Sequence, residues 1–513
     1  MKVLICLCLS SLLFSKPFKV ASYNVENLFD TINNGMEYKE YIPYTHQWNS
    51  KNKEIKLNHI AEVICDIDAD IIGLQEVENK NILKQLVRRL KEVGCGYKYF
   101  AITDKKSSTI QIALLSRFKI IDTRDIMVSC ALRVRNILEV TVLIENMPLT
   151  LFINHWKSKA YNGVESKRII YAEALKNRLK YIKNEYIILG DFNSNYDEYL
   201  HIEKKLNDTK GKTGINNILN TTYENYLVDK FTLRYSGKKL HYNLWQELNF
   251  EKRWSHNFYG KKSTLDAIIV SYQMFDGQRI DYIKDSFHVF NPSYLFNKKG
   301  YIKRWMYKNG KHLGKGYSDH LAIYAFFDKR PYRGKFNKIE HSLLIRTIDD
   351  LYKVEILKNS LVLKKCVVIF KRGHHAVIKQ NKNTRGIYLY GGGDTLKEGY
   401  SYDLMVQNIK EYHGLKEVTQ LYTIKKLTKV SKLSFYTKNL NKLQQNEIIF
   451  NIKGVYKNHF FYSNGKKIAI YFKKRKSTPK NGSYLKIKYG HIGYYKGLQL
   501  VIYSKKDFEI LEK

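Results

Sequence analysis

The feature that most constrains the fold is an alternation of short apolar runs with amphipathic stretches between Phe18 and about Phe327. Residues 58–66 and 168–181 space their apolar side chains as one face of a helix does. The apolar runs have the length of buried strands: KVASYNV, ADIIGLQ, IQIALLS, LTLFINH, EYIILGD, LDAIIVS and LAIYAFF. This pattern predicts an α+β domain in which helices cover β-sheet.

More than one domain is expected, because the chain has 513 residues of which 44% are hydrophobic. Residues 328–338, DKRPYRGKFNK, are charged and contain a proline and a glycine, which predicts a domain boundary. The predicted domains span residues 17–330, 338–430 and 446–513.

The C-terminal region contains an internal repeat. A shift of 83 residues, without a gap, aligns Ile387, Tyr388, Lys397, Gly399, Ile409, Tyr412, Gly414 and Leu415 with Ile470, Tyr471, Lys480, Gly482, Ile492, Tyr495, Gly497 and Leu498. Each copy predicts strands, a glycine turn and a Tyr-x-Gly-Leu hairpin, as tandem small barrels would have. The copies resemble OB-type modules, in which a basic, aromatic sheet face holds single strands of nucleic acid. The alternative is a pair of β-domains acting as spacer or surface anchor.

The formal net charge is +40, and residues 331–513 carry 37 basic against 13 acidic side chains. A balance this positive favours polyanionic partners such as nucleic acid or an anionic membrane surface. Biased codon usage would also enrich lysine, but it would not concentrate the charge in the tail.

The first 16 residues, MKVLICLCLSSLLFSK, are typical of a secretory signal peptide, with cleavage near Ser15. Their apolar run is too short to span a bilayer, and no later segment has the uninterrupted apolar length of a membrane helix. We therefore expect export to the periplasm or the cell exterior, without stable membrane insertion. The spacing of the remaining cysteines matches no zinc motif, so packing or one disulfide is expected for Cys65, Cys95, Cys130 and Cys366.

Polar side chains follow two of the predicted strands. Gln75 and Glu76 come after IIGL, which places a carboxylate at the rim of a sheet. Asp191 and Asn193 come after IILG, and side chains two apart on extended backbone share a face. The structural alternatives are a solvated strand end for Glu76 and an Asx turn for Asp191.

Further aspartates and histidines stand at other strand ends. Asp266 opens LDAIIVS, and His155 ends LTLFINH. Asp319 and His320 precede LAIYAFF, and such a pair can join a metal-facing carboxylate to an imidazole that binds phosphate or a proton. A single residue of this kind is more often structural, so the prediction depends on their joint order.

That order carries a family resemblance. The segments SYNVENLFD, LQEVE, INHWKSK, GDFNSN, STLDAIIVS and YSDHLAIY are similar to the motifs of the endonuclease/exonuclease/phosphatase superfamily. The superfamily includes pancreatic deoxyribonuclease, apurinic endonucleases and neutral sphingomyelinases. The resemblance covers residues 18–327 and implies a four-layered αββα sandwich of two mixed sheets, with the site at one sheet edge and the OB-like barrels following it.

The resemblance also implies roles for the acidic and amide residues. Glu76 would bind Mg²⁺ or Mn²⁺, with Ca²⁺ as a further candidate, and Asn24 and Asp319 would help to hold the ion. Asp191 would orient and activate the attacking water, which Asn193 would hold together with the phosphate.

The remaining implied roles belong to basic residues. His320, oriented by Asp266, would contact the scissile phosphate, while His155 would neutralise the transition state or assist the leaving oxygen. Either Asp191 or His320 could take the proton. Arg117 matches a family position near the site, with a surface salt bridge as the alternative.

The expected substrate is DNA, with RNA as a further candidate. HWKSK resembles the segment in extracellular bacterial nucleases, and the OB-like tail is basic, notably at Lys473, Lys474, Arg475 and Lys476. One alternative is a secreted sphingomyelinase or other phospholipid phosphodiesterase, with Trp245, Trp254 and Trp305 as its membrane-facing aromatics. Another is a non-catalytic surface protein that binds DNA or host glycans. The complete set of acidic and histidine positions argues against this last reading.

Overall fold

The computed structural model describes residues 16–258, 261–336, 346–357, 360–391, 393, 396–438, 440–441 and 443–511, except for the side chain of residue 201. Residues 1–15 of the expected signal peptide lie outside this range. The chain forms two compact units, residues 1–339 and 340–513. No helix in the described part of the chain combines the length and apolar character that a membrane crossing needs.

Two mixed sheets form the centre of the first unit. The first sheet has the order β15-β19-β1-β2-β4-β3, with β16 also on β19, and the second has the order β11-β14-β8-β7-β6-β5. The strands are β1 Phe18–Leu28, β2 Ile71–Val77, β3 Tyr99–Ile102, β4 Gln111–Ser116, β5 Lys119–Ile126, β6 Ile137–Ile144, β7 Met147–His155, β8 Tyr186–Asp191, β9 Thr222–Tyr223, β10 Tyr226–Leu227, β11 His241–Asn243, β12 His256–Phe258, β13 Lys261–Ser263, β14 Asp266–Ser271, β15 Asp281–Tyr282, β16 His288–Val289, β17 Tyr307–Lys308, β18 Lys311–His312 and β19 Ile323–Asp328.

Both sheets owe their mixed character to one parallel pair, β1 with β2 and β7 with β8. The sheets lie face to face, and they approach closely at Gly73 of β2. A Cβ added there would lie 3.0 Å from the side chain of Ile153 in the opposite sheet. Glycine at this position therefore lets the two sheets pack tightly.

Helices cover the outer faces of the sandwich. The helices of this unit are α1 Ser50–Ile67, α2 Lys80–Glu92, α3 Ser166–Leu179, α4 Glu198–His201 and α5 Lys230–Tyr235. Apolar residues of α1 and α2 share a core with β1, β2 and β4, whereas Leu175 of α3 belongs to the core of the second sheet. The predicted four-layered αββα sandwich is confirmed. The predicted helix at residues 58–66 lies within the longer α1, and the one at residues 168–181 overlaps α3.

A disulfide between Cys65 of α1 and Cys95, beyond α2, ties the two helices together. This matches one of the two expectations for the cysteines. Cys130 is an exposed thiol and Cys366 a buried one.

The second unit contains two closed five-stranded barrels, as predicted. Their orders are β20-β21-β22-β24-β23 and β25-β26-β27-β29-β28, with β25 paired to β28 and β30 added on β28. The elements are α6 Ile348–Tyr352, β20 Leu361–Arg372, β21 His375–Lys379, β22 Gly386–Leu389, β23 Tyr400–Tyr412, β24 Leu415–Lys429, β25 Ile448–Lys457, β26 Phe460–Ser463, β27 Lys466–Phe472, β28 Tyr484–Tyr494, β29 Leu498–Ile502 and β30 Phe508–Leu511.

The sequence repeat corresponds to the same structural steps in both barrels. Gly414 turns the chain from β23 into β24, and Gly497 turns it from β28 into β29, at φ values of 89° and 148°. Both values lie where a side chain is strained, which accounts for glycine in each Tyr-x-Gly-Leu segment.

The first unit extends beyond residue 330. The backbone N–H of Tyr332 donates to Asp281 Oδ2 at 2.7 Å, and Lys230 Nζ donates to the Tyr332 hydroxyl at 2.5 Å. Phe336 also packs against the core of this unit. Most of the charged segment proposed as a boundary therefore belongs to the sandwich.

Candidate active site

The predicted site residues lie at one end of the sandwich. His155 and Asp191 end the parallel strands β7 and β8 and face each other in register. Asp266 opens β14 opposite Asp191. Asn24 and Glu76 lie toward the ends of β1 and β2 in the other sheet. Residues far apart in sequence therefore meet where the two sheets adjoin.

The backbone at this end departs from regular strand geometry. Glu76 has a φ of 67° and lies where the pairing of β2 with its neighbours shifts register. Such a bulge turns a side chain away from its place in the alternation. Gly190 has a φ of 133°, and a Cβ there would lie 2.0 Å from the carbonyl oxygen of Asn154. The glycine before Asp191 is therefore a steric requirement.

Asn24 connects the two sheets through hydrogen bonds. Its Nδ2 donates to Glu76 Oε1 at 3.0 Å and to Asp191 Oδ2 at 3.1 Å. Asp191 also accepts the backbone N–H of Asn193 at 2.8 Å and the Asn193 side-chain amide at 3.2 Å. Burial raises the pKa of Asp191 to about 7. The carboxylate is thus held rigidly and retains more basicity than an exposed aspartate.

His320 forms a buried pair with Asp266. Its Nδ1 lies 2.7 Å from Asp266 Oδ2, which also accepts the Ser255 hydroxyl at 2.6 Å. Burial opposes the charged imidazole, but the carboxylates of Asp266, Asp191 and Asp319 raise the pKa of His320 well above its usual value. The histidine therefore carries positive charge at neutral pH.

His155 has the opposite electrostatics. Its Nε2 lies 3.7 Å from Glu76 Oε1 and 3.6 Å from Asp191 Oδ2. Burial, with the nearby charge of Arg135, lowers the pKa of His155 well below its usual value. Arg135 is fixed beside it, since its Nε donates to the His155 carbonyl at 2.9 Å. His155 is thus a neutral ring next to an anchored cation.

Asp319 lies at the open side of the site. Its Oδ1 is 4.0 Å from His320 Nε2, and its Oδ2 is 3.9 Å from both His256 Nε2 and Arg304 Nη2. Burial opposes the charged form, but His320, His256 and Arg304 lower the pKa of Asp319. Its carboxylate therefore stays ionised and accessible.

Two buried ionisable residues, Glu26 and Lys56, lie behind Asp319. Arg304 donates to Glu26 Oε1 at 2.6 Å, and the backbone N–H of Trp305 donates to Glu26 Oε2 at 2.9 Å. Burial raises the pKa of Glu26 to about 7 and lowers the pKa of Lys56 to about 8. These residues support the loop that carries Arg304 beside the site.

The described residues include groups that could hold a cation. The candidate sets, with ligand atoms within 4.8 Å of one another, are Glu76, His155 and Asp191; Asp191, Asp266 and His320; and His256, Asp319 and His320. Burial, together with the charge of Asp319, raises the pKa of Glu76. Asp266 Oδ1 is buried without a hydrogen-bond partner among the described residues. The carboxylate oxygens of Glu76, Asp191 and Asp319 are the kind of ligand that a hard divalent cation prefers.

All eight predicted site residues gather at this end of the sandwich: Asn24, Glu76, His155, Asp191, Asn193, Asp266, Asp319 and His320. The sequence did not indicate Ser255, His256 or Arg135. The backbone of His256 bridges to His320, so only the pairing of distant segments brings it to the site. No motif marks these three residues, and their role follows from contacts alone.

The structure also bears on two alternatives that the sequence left open. Arg117 pairs with Asp68 and Asp70 beside the start of β2, at the end opposite Glu76, so the surface salt bridge is what the structure shows. Trp245 and Trp305 are buried, and Trp254 is half-buried beneath Lys262. They do not form the exposed aromatic surface that the phospholipid alternative requires.

One end of the sandwich therefore holds a cluster of acidic residues, amides and histidines. A sequence model of the endonuclease/exonuclease/phosphatase family matches residues 19–329, and the chain belongs to this family. Members of the family are usually hydrolases acting on phosphodiester bonds.

Several solved structures are similar to this chain at low identity. A humanised TDP2 from D. rerio is 16% identical, with a TM-score of 0.39 and coverage of 61% of this chain and 99% of that chain. An AP endonuclease from Archaeoglobus fulgidus is 14% identical, with a TM-score of 0.37 and coverage of 61% and 99%. A truncated TDP2 from Caenorhabditis elegans is 13% identical, with a TM-score of 0.36 and coverage of 61% and 98%. No curated protein matches the sequence.

Proposed function

We propose that this protein is an exported, metal-dependent nuclease that hydrolyses phosphodiester bonds of DNA, and that its C-terminal unit binds nucleic acid. The observation that carries the proposal is the meeting of Glu76, His155, Asp191, Asp266 and His320 at one end of the sandwich. Hydrolysis of a phosphodiester needs this combination of a cation site, a base for water and donors for the developing charge.

The cation would be held by Glu76, with Asn24 and Asp319 helping to hold it. A bound Mg²⁺ or Mn²⁺ would supply positive charge to the phosphate oxygens. The side chains of Glu76 and Asp319 are 19% and 26% exposed, so their oxygens can be reached from solvent.

Asp191 is the better candidate for the proton acceptor. Its carboxylate is fixed by Asn24 and Asn193, and a pKa of about 7 matches a general base that works near neutral pH. His320 is a poor acceptor, because Asp266 and the neighbouring carboxylates keep it protonated.

The two histidines would then act on the phosphate in different ways. His320 Nε2 lies 4.0 Å from Asp191 Oδ2. The positive charge of His320 can therefore reach a phosphate placed between Asp191 and Asp319. The neutral His155 can hydrogen-bond the substrate without adding charge, while Arg135 stabilises its orientation through the backbone.

DNA is preferred over phospholipid as the substrate. The chain carries a net charge of +40, which attracts a polyanion over long distances. The burial of Trp245 and Trp305 removes two of the aromatics that would enter a lipid surface.

A plasmid assay tests the activity. Supercoiled DNA should become nicked and linear when Mg²⁺ or Mn²⁺ is present, and a chelator should stop the reaction. Unchanged plasmid together with phosphocholine released from sphingomyelin would replace the nuclease with a phospholipid phosphodiesterase. Unchanged plasmid without phosphocholine release would favour the non-catalytic alternative.

Export rests on the signal-like N-terminus and on the Cys65–Cys95 disulfide, since disulfides persist in oxidising compartments. Cell fractionation with sequencing of the mature N-terminus tests it. A new N-terminus near residue 16 in the periplasmic or culture fraction is expected. Cytoplasmic protein that retains Met1 would contradict the proposal.

A further inference from the structure

Part of the outer surface of the first barrel is buried against the second barrel. Apolar side chains on the outside of β20, β21 and β22 form a shared buried cluster with residues of the second barrel. From the first barrel these include Val367, Ile369, Phe370, Val377 and Tyr388, and from the second Ile448, Val501 and Tyr503. The Tyr388 ring stacks on His491 with centroids 5.2 Å apart. A ligand cannot reach these buried residues without separating the barrels.

The matching face of the second barrel is open. Phe461 and Ile470 point into the barrel core, so their neighbours on β26 and β27 point outward. The sequence repeat aligns Tyr471 with Tyr388, yet Tyr471 is 51% exposed and Tyr388 only 5%. Equivalent tyrosines in the two repeats therefore have opposite environments.

Strand pairing builds rows of aromatic and basic side chains on this face. Tyr462 of β26 lies opposite Lys467 of β27, and Phe460 lies opposite Lys457 of β25. Lys467 Nζ is 3.9 Å from the centre of the Phe460 ring, and the Phe460 and Tyr462 rings are 6.5 Å apart. We name Lys457, Phe460, Tyr462, Lys467 and Tyr471 the tyrosine face.

The sequence around the tyrosine face is uniformly positive. Residues 448–506 contain 14 lysines and arginines and no aspartate or glutamate. The basic run Lys473, Lys474, Arg475 and Lys476 follows directly after β27, and all four residues are exposed. A partner of this surface must be strongly anionic, and it must offer flat groups to the rings.

We infer that the tyrosine face binds single-stranded nucleic acid, with bases stacked on Tyr462 and Tyr471 and phosphates beside the lysines. Single strands fit because their bases are free to stack on protein rings, whereas a duplex keeps its bases inside. The inference rests on the proposed function for its substrate class. It assigns binding to the second barrel, while the first barrel is the support against which the second is packed.

The test uses the full chain with chelator present, so that the probe is not cleaved. Fluorescence anisotropy with a labelled 20-nucleotide oligothymidine measures binding. Tyr462→Ala combined with Tyr471→Ala should weaken binding at least about tenfold, because each stacked base contributes about 1–3 kcal/mol. Tyr495→Ala is the matched control: Tyr495 is 50% exposed in the same barrel but lies at the β28–β29 turn.

A salt titration tests the lysines separately. Replacing Lys457 and Lys467 with glutamine should reduce the slope of log affinity against log salt by about 1.4, roughly 0.7 for each lost phosphate contact. The control pair Lys425→Gln and Lys429→Gln, exposed on β24, should leave the slope unchanged.

Several results would overturn the inference. Equal losses in the test and control variants would show that the positions contribute only general charge. The wild-type protein could instead bind duplex DNA or heparin more tightly than the oligonucleotide, and the tyrosine variant could lose that binding as well. This result would assign the face to another polyanion. Plasmid cleavage with unaffected oligonucleotide binding would reject the tyrosine face but keep the nuclease. Oligonucleotide binding that depends on the tyrosines, without plasmid cleavage, would keep the tyrosine face and reject the nuclease. Unchanged thermal melting of each variant excludes misfolding.

Discussion

The two units place their polar residues in opposite ways. In the first unit Asp191, Asp266 and His320 are buried at the sheet ends and hydrogen-bond one another and their neighbours. In the second unit the barrel interiors are largely apolar, and exposed lysines such as Lys457 and Lys467 lie on the outside.

This difference separates two kinds of function. A buried network depends on every member, because loss of one group leaves its partners unpaired in a medium that solvates them poorly. Exposed charges act nearly independently and are screened by salt. Single changes should therefore be severe in the sandwich and graded in the barrels.

The largest expected effect is on cleavage. Asp191→Asn keeps the shape of the side chain but removes the charge and the proton acceptor, so plasmid cleavage should fall by at least about a thousandfold. Binding in chelator should change little, since the exposed lysines remain. Asp104→Asn, at an exposed ion pair with Lys106, is the control and should cleave normally. Retained turnover in Asp191→Asn would show that the site is misassigned.

The next effect concerns stability in acid, and it belongs to the second unit. Burial lowers the pKa of His491 to about 3, whereas an exposed histidine titrates near 6.5. Between these values the unfolded chain binds a proton that the folded chain does not, so stability should decrease as pH falls through this window. At pH 4.5 the loss is on the order of 3 kcal/mol, since each pH unit below 6.5 costs about 1.4 kcal/mol.

Chemical denaturation of the full chain at pH 7 and pH 4.5 measures the acid effect. His491→Gln removes the titrating ring from its contacts with Asn446 and Tyr503, and it should make the pH dependence less steep. An equally steep dependence in this variant would place the acid-sensitive group elsewhere.

Removal of the second unit should act on binding more than on chemistry. A chain that ends at residue 339 keeps Tyr332 and Phe336, which pack in the sandwich. Its affinity for DNA at physiological salt should fall about 10- to 100-fold, while the cleavage rate at saturating substrate changes less. Anisotropy and single-turnover cleavage measure the two quantities. Unchanged affinity would leave the barrels as a spacer.

The smallest expected effect is at the open side of the site. His256→Ala removes a ring 4.8 Å from the ring of His320 and an imidazole 3.9 Å from Asp319. Cleavage should fall about tenfold, with a higher metal concentration needed for half-maximal rate. Phe258→Ala, an exposed neighbour on β12, is the matched change. Equal effects of the two variants would mean that the hairpin, and not the imidazole, matters.

Much of the first unit was predictable because strand and helix periods are local properties of a sequence. The apolar runs gave the strands, and polar residues directly after them gave the candidate site. The left-handed bulge at Glu76 was not predictable, since a glutamate rarely takes a φ of 67° and only the pairing of β2 with both neighbours imposes it. Ser255 and His256 were missed for the same reason, because they reach the site through distant pairing.

The sequence by itself determined an α+β domain, the two repeated barrels and the order of the site residues, because each depends on periodicity and motif spacing along the chain. The sandwich of two mixed sheets followed from the resemblance of those motifs to the superfamily. Tertiary structure decided which surfaces remain open. Tyr388 and Tyr471 occupy the same place in the repeat, and only the packing of one barrel on the other buries the first and exposes the second. Local pattern specifies that a side chain faces outward, but it does not specify what lies there to meet it.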